Sequence, residues 1–154
     1  MEDDEVLGFI REQAKNVRYV FSVCTGALIC GAAGLLKGRR ATTHWASFDL
    51  LPYFGAIPVN ERVVVDGNMI TTAGVTGGID GALRLAAMLR GDAAAQEIQL
   101  YMEYAPQPPF DAGSPGTAPA MVLEAARQAG RNLHAVRAET AKRIANKLGV
   151  EVKA

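Results

Sequence analysis

"FSVCTGALICGAAG", residues 21–34, decides how the whole chain is read. It passes from β-forming residues through a cysteine and a glycine into small and aliphatic residues at helical spacing. With the residues before it, "VRYVFSV" (17–23) reads as a buried parallel strand that stops abruptly at "CTG". Residues 27–36 then read as a helix closed by Lys37 and Gly38. A strand that turns sharply into a helix sets Cys24 on the turn itself. Such a turn needs small neighbours, and the helix N-terminus beyond it aims backbone N–H groups at whatever the cysteine meets. A helix N-terminus also favours the thiolate, the nucleophilic form of the side chain. The N–H groups of Thr25 and Gly26 are then candidate donors to an anion formed on an attacked substrate. The ordinary alternative is a small buried side chain, since cysteine is among the residues most often buried. The pattern alone leaves both readings open. Cys30, inside the helix, reads as packing.

Upstream, residues 2–16 read as a helix with an acid-loaded first turn, which suits the helix dipole, and Val6, Phe9, Ile10 and Ala14 as its apolar stripe. Downstream, "ATTHW" (41–45) is a short extended piece, followed by a short helix over 46–54 that ends at Gly55. Residues 63–65 and 69–72 flank "DGN" and read as a hairpin. "AGVTGGIDG" (73–81) is a second glycine-rich passage from strand to helix, and 81–104 is helical with a break near Arg90-Gly91-Asp92. "APQPPFDAGSPGTAP" (105–119) holds too many breakers for a regular element, and 120–148 is helical with a weak point at Gly130. Three or four strands are few for a sheet of this α/β kind, and the chain opens on a helix with no strand before it to cover. The expectation is that an N-terminal portion of the fold is missing or supplied by another chain.

Two more features point at the same place. His44 follows Cys24 after one helix and a return to the sheet, and consecutive strands are often spatial neighbours. It is therefore either a partner of the thiol or a structural histidine bonded by the threonines before it. The backbone N–H groups around Val75 and Thr76 face the same region, because ligands in α/β sheets sit beyond the carboxyl ends of the strands. Asp80 reads as a first-turn helix charge and His134 as a surface residue. Trp45, Phe48, Tyr104 and Phe110 are either walls of an apolar pocket or core.

Composition narrows the field. The 154 residues are 49% hydrophobic and 21% charged, with a formal net charge of zero. That fits one domain over residues 1–154, and it argues against nucleic acid or an anionic membrane as partner. No apolar run reaches the roughly 18 residues of a transmembrane helix. "MEDDE" is acidic where a signal peptide is basic. Two cysteines in such a context read as reduced cytoplasmic thiols. With no CxxC and no paired-histidine spacing, neither a metal nor another cofactor is expected.

Three longer stretches carry a resemblance: "SVCTGALICGAAGLLKGRRATTHW" (22–45), "VVVDGNMITTAGVTGGIDGALRLA" (63–86) and "EYAPQPPFDAGSPGTAP" (103–119). Together they resemble the isocyanide hydratase branch of the ThiJ/PfpI superfamily. The resemblance implies an α/β, flavodoxin-like sandwich of the class I glutamine amidotransferase-like kind. It makes Cys24 the nucleophile and Thr25 and Gly26 the elbow residues beside the substrate. It makes Val75 a backbone contact of the thiol, and His44 resembles the histidine near the cysteine in other members. The implied reaction is hydration of a small isocyanide to an N-formyl amide, in a homodimer. The family's acid is an aspartate near the end of the first strand, and nothing here matches it. The expectation is a chain holding the C-terminal two thirds of the fold, as a fragment, a misassigned start or one half of a split fold.

Two other functions compete. Ligand-sensing domains of AraC-type transcription regulators look similar, and "ETAKRIANKLGVE" (139–151) resembles the first helix and turn of a DNA reader. The chain ends where a recognition helix would start. A thiol redox sensor or stress protein of the same superfamily is the other reading, and it predicts oxidation at Cys24 but not at Cys30.

Overall fold

The computed structural model of the chain describes residues 1–152. In chain order these form helix α1 (Asp4–Ala14), strand β1 (Val20–Val23), helix α2 (Gly26–Ala32) and strand β2 (Arg40–Ala41). A 3₁₀ helix (Trp45–Phe54) follows, then strands β3 (Ile57–Pro58), β4 (Val63–Asp66) and β5 (Met69–Thr72). Helices α3 (Gly77–Arg90), α4 (Asp92–Tyr101) and α5 (Ala120–Leu148) complete the order.

The main sheet has the order β1-β5-β4. β5 lies in its centre and is buried along its whole length. β1 runs parallel to it, with Val23 opposite Thr72, and β4 pairs antiparallel on the other side. The β4–β5 connection is the expected hairpin. Gly67 takes the left-handed conformation there (φ 59°), which a Cβ would strain. β2 and β3 form a separate two-residue parallel pairing.

Alternation along the strands decides which layer each side chain meets. On one face Val20 and Met69 pack with Ala27, Leu36, Leu51 and Ala56 of α2, the 3₁₀ helix and their connections. A second cluster behind it joins Leu7 of α1, Leu28 of α2, Leu50 and Phe54 of the 3₁₀ helix, and Ala141 and Ile144 of α5. Each fully buried leucine, isoleucine, methionine or phenylalanine among them contributes roughly 1.5–3 kcal/mol of transfer free energy. On the opposite face, α3 lies so close to the sheet that a Cβ on Gly81 would sit 2.4 Å from Thr72 Cγ2 and 2.8 Å from Phe21 Cε2. Glycine is what lets the helix seat there. α4 packs back on α3 across the one-residue break at Gly91.

Several expectations need correction. Helix α1 is capped by Asp3, whose carboxylate accepts from the N–H groups of Glu5 and Val6. The stripe that packs, however, is Leu7 and Ile10; Val6 and Phe9 are exposed, Phe9 by 65%. The first strand covers only Val20–Val23 and is half-buried, because it is paired on one side only among the described residues. α2 ends at Ala32, four residues early, where the chain reaches Gly34 in the left-handed region (φ 83°). α5 runs unbroken through Gly130. Its last third buries Thr140, Ala141, Ile144 and Ala145 in the core, so residues 139–148 continue one long helix that starts at Ala120. Phe110 is exposed on the 105–119 loop.

Candidate active site at the β1–α2 elbow

Cys24 occupies the turn between β1 and α2 with φ 58°, one of two non-glycine residues at positive φ among those described. The left-handed conformation costs an L-residue about 1–2 kcal/mol. It persists only where the surroundings fix it. Both backbone groups of Cys24 are held from outside the elbow. Its N–H donates to the carbonyl of Thr72 at 3.2 Å. Its carbonyl accepts from the Thr43 hydroxyl at 2.8 Å. Thr43 is itself buried while Cys24 is half-buried, so this bond is partly screened from water. The thiol of Cys24 is half-buried and free.

The residues after Cys24 behave as an elbow requires. Thr25 is the N-cap of α2 and makes no side-chain capping bond. The first two backbone bonds returning to the turn come from Ala27 to Cys24 and from Leu28 to Thr25. The N–H groups of Thr25 and Gly26 are thus left without a backbone partner among the described residues. Gly26 sits tightly, since a Cβ there would lie 3.3 Å from Ser22 Oγ.

A cavity of about 500 Å³ opens beside these anchors. Its wall is built from residues 42–45 and Phe48, residues 60–62, residues 73–76 and residues 113–115. Three stretches singled out in the sequence therefore converge on it: "TTHW", "AGVT" and the "GSP" of the long loop; Cys24, Thr25 and Gly26 are not among the wall residues, and the elbow meets the wall through its bond to Thr43. Both segments that tether Cys24 continue directly into the wall, from Thr43 to His44 and from Thr72 to Ala73.

His44 lies in this wall, but among the described residues no hydrogen bond joins it to the Cys24 thiol. Its Nδ1 accepts from the Ala46 N–H at 3.2 Å, which places the ring proton of the neutral form on Nε2. Burial, and secondarily the Arg137 charge, hold its pKa below the ordinary histidine value. His44 is thus a neutral ring with a free Nε2–H donor, stacked obliquely against Trp45 at 5.5 Å. Gly74 faces it: a Cβ there would meet His44 Cδ2 at 3.5 Å.

Val75 and Thr76 are exposed on the loop between β5 and α3. Thr76 is the N-cap of α3 without a side-chain capping bond; its hydroxyl accepts from Arg62 Nη2 at 3.1 Å instead. Asp80 is a first-turn residue of α3 as expected, and it also binds Arg62 Nε and the Tyr104 hydroxyl, the latter at 2.8 Å. Tyr104 is therefore a polar anchor and not a pocket wall. The sequence reading missed Arg62, which stands in the cavity wall. Trp45 and Phe48 line the cavity as well. Burial pushes the Cys30 thiol up, in keeping with a packing role. His134 does more than lie on the surface: its Nε2 bonds the Asp49 carboxylate at 2.9 Å and ties α5 to the 3₁₀ helix. Among the described residues no group of three His, Cys, Asp or Glu side chains comes together to hold a metal ion. No helix of these residues is long and apolar enough to cross a membrane.

Residues 1–88 match the DJ-1/PfpI family. Over 150 residues, 97% of this chain, the sequence is 57% identical to an isonitrile hydratase of Pseudomonas putida and covers 66% of it. Over 92 residues it is 35% identical to the HTH-type transcriptional regulator CdhR of Pseudomonas aeruginosa, a match that takes in 58% of this chain and 27% of the regulator. Among solved structures, a ThiJ/PfpI family protein from Pseudomonas syringae superposes with a TM-score of 0.85 at 48% identity, covering 93% of this chain and 57% of that one. The chain thus spans just under two thirds of the hydratase it resembles. The resemblance read from the motifs is borne out, and with it the α/β sandwich class.

Proposed function

Since this chain belongs to the DJ-1/PfpI family, we propose that it hydrates isocyanides to N-formyl amides with Cys24 as nucleophile. The observation that carries this is the left-handed Cys24 held by Thr72 and by Thr43, a residue of the cavity wall. Identity of 57% to an isonitrile hydratase supports the substrate class.

In this reading the Cys24 sulfur adds to the terminal carbon of R–N≡C as that carbon takes a proton from water, giving R–N=CH–S–Cys. Hydroxide then adds to the same carbon. The adduct collapses, the C–S electron pair returns to sulfur, and R–NH–CHO leaves. One hydrogen of the water ends on carbon and the other on nitrogen, and the thiolate is regenerated. The unpartnered N–H groups of Thr25 and Gly26 stabilise negative charge as it forms next to the sulfur. Val75 contributes its backbone, with Thr76 beside it, and His44 offers its Nε2–H to the nitrogen end or to water. Trp45 and Phe48 give the R group an apolar wall.

The test is formamide production from tert-butyl isocyanide by the chain and by Cys24→Ala. Loss of product in a folded variant is expected; unchanged turnover would sink the mechanism.

The same reading makes the protein a cytoplasmic homodimer, supported by its two free thiols and by exposed apolar residues such as Phe9, Leu100 and Tyr101 that a second copy can cover. A second reading, a ligand-sensing domain, draws on the identity with the regulator. A DNA mobility-shift assay separates the two.

A further inference from the structure

We propose that Arg62 is a positioning residue that clamps the glycine-rich wall of the cavity beside Cys24, acting through Asp80 and Tyr104. The proposal rests on the hydration reading for its effect on turnover and on geometry alone for the clamp.

Arg62 precedes β4 and holds the β5–α3 loop at several points. Its carbonyl accepts from the Ala73 N–H at 3.0 Å. Its Nη2 donates to the Thr76 hydroxyl at 3.1 Å, and its Nε pairs with the Asp80 carboxylate. Its stem lies along the start of α3, where a Cβ on Gly77 would meet Arg62 O at 3.4 Å and Cγ at 3.7 Å. One residue thus grips both ends of a loop that has no regular structure of its own.

Backbone N–H groups of Gly77, Gly78 and Ile79 donate to the carbonyls of Gly74, Val75 and Thr76 at 2.9, 3.1 and 3.1 Å and join the loop to the first turn of α3, and Arg62 ties that turn to the entry of β4. Val75 at its tip is 77% exposed, so apolar packing does not set its position. The position comes from polar ties, and the planar guanidinium fork supplies two of them in a fixed mutual geometry, which an ammonium does not.

The other oxygen of Asp80 accepts from the Tyr104 hydroxyl at 2.8 Å. Tyr104 stands at the start of the 105–119 loop, and residues 113–115 of that loop form another part of the cavity wall. A single carboxylate therefore joins the strand entry, the glycine-rich loop and the base of the long loop. Arg62 and Asp80 are partly exposed, so the pair adds little to global stability. Its effect is on where the backbone of Val75 stands relative to the sulfur, and a misplacement of about 1 Å at a reacting centre can cost about 10²-fold in rate.

The experiment compares the wild type, Arg62→Met, Arg62→Lys and Tyr104→Phe by kcat and KM for tert-butyl isocyanide and by amide hydrogen exchange. Arg62→Met is expected to lower kcat by about 10²-fold with KM little changed, and to speed exchange at residues 73–77 while β5 and α5 stay protected. Arg62→Lys restores part of both effects, because it keeps the charge on Asp80 but not the fork. Tyr104→Phe gives a smaller loss of the same kind. Wild-type kcat and wild-type exchange in Arg62→Met overturn the proposal. So does exchange that rises evenly along the chain with Arg62→Lys no better than Arg62→Met. If the wild type forms no formamide, the hydration reading falls and the exchange pattern alone decides the clamp.

Discussion

The hydroxyl of Thr43 donates to the carbonyl of Cys24 at 2.8 Å, although 19 positions separate them in sequence. Thr43 is 1% exposed while Cys24 is half-buried, so the bond is partly screened from water. It locks the backbone of the candidate nucleophile from a segment whose next residue lines the cavity.

Replacing Thr43 by Val keeps the shape and removes the donor. The loss is expected to cost about 1–2 kcal/mol, the price of a buried acceptor left weakly satisfied, and to lower formamide turnover. Thr43→Ser restores both. Denaturant melts beside rate measurements check it, and a Val variant equal to wild type in stability and rate would show that the bond does not hold the elbow.

The conformation of Cys24 is testable apart from its chemistry. Cys24→Ala and Cys24→Gly both lack the thiol, but only Ala keeps a Cβ at φ 58°. Relief of about 1–2 kcal/mol exceeds the roughly 0.4–1 kcal/mol of extra unfolded-state freedom that Gly brings. The Gly variant should therefore melt above the Ala variant. The reverse order would mean that the fold does not impose the left-handed turn.

Burial lowers the pKa of His44 in the folded state from its ordinary 6.5. As pH falls through 6.5, the unfolded chain takes up a proton that the folded chain resists, so stability is lost from there down to the depressed folded value. Above that window His44 is neutral in both states and contributes no pH dependence. Melting temperatures between about pH 7.5 and pH 5 should show a steeper acid-side decline in wild type than in His44→Gln. Parallel curves would contradict a half-buried neutral ring.

Local patterns were the legible part of this fold. The elbow is a strand, a small turn and a helix within a few residues, and Asp66-Gly67 marks the hairpin. Gly91 marks the break between α3 and α4. What was not legible is what depends on layers. In α1 two apolar stripes compete, and periodicity cannot say that Leu7 and Ile10 face the core while Val6 and Phe9 stay outside. His44 read as either a partner of the thiol or a structural histidine; the residue before it, Thr43, bonds the backbone carbonyl of Cys24, and the His44 ring accepts from the Ala46 N–H. Arg62, Asp80 and Tyr104 each look like ordinary surface residues in sequence, and only the packing of α3 between β4 and the end of α4 brings them together.

The amide of Cys24 is already committed to Thr72, so the elbow cannot turn its own N–H toward a bound molecule. On the hydratase reading, this sets a design rule for inhibitors. A compound that mimics the thioimidate adduct gains from placing its anionic atom along the axis of α2, over residues 25 and 26. Extra acceptors aimed back at residue 24 would meet a donor that the sheet has taken.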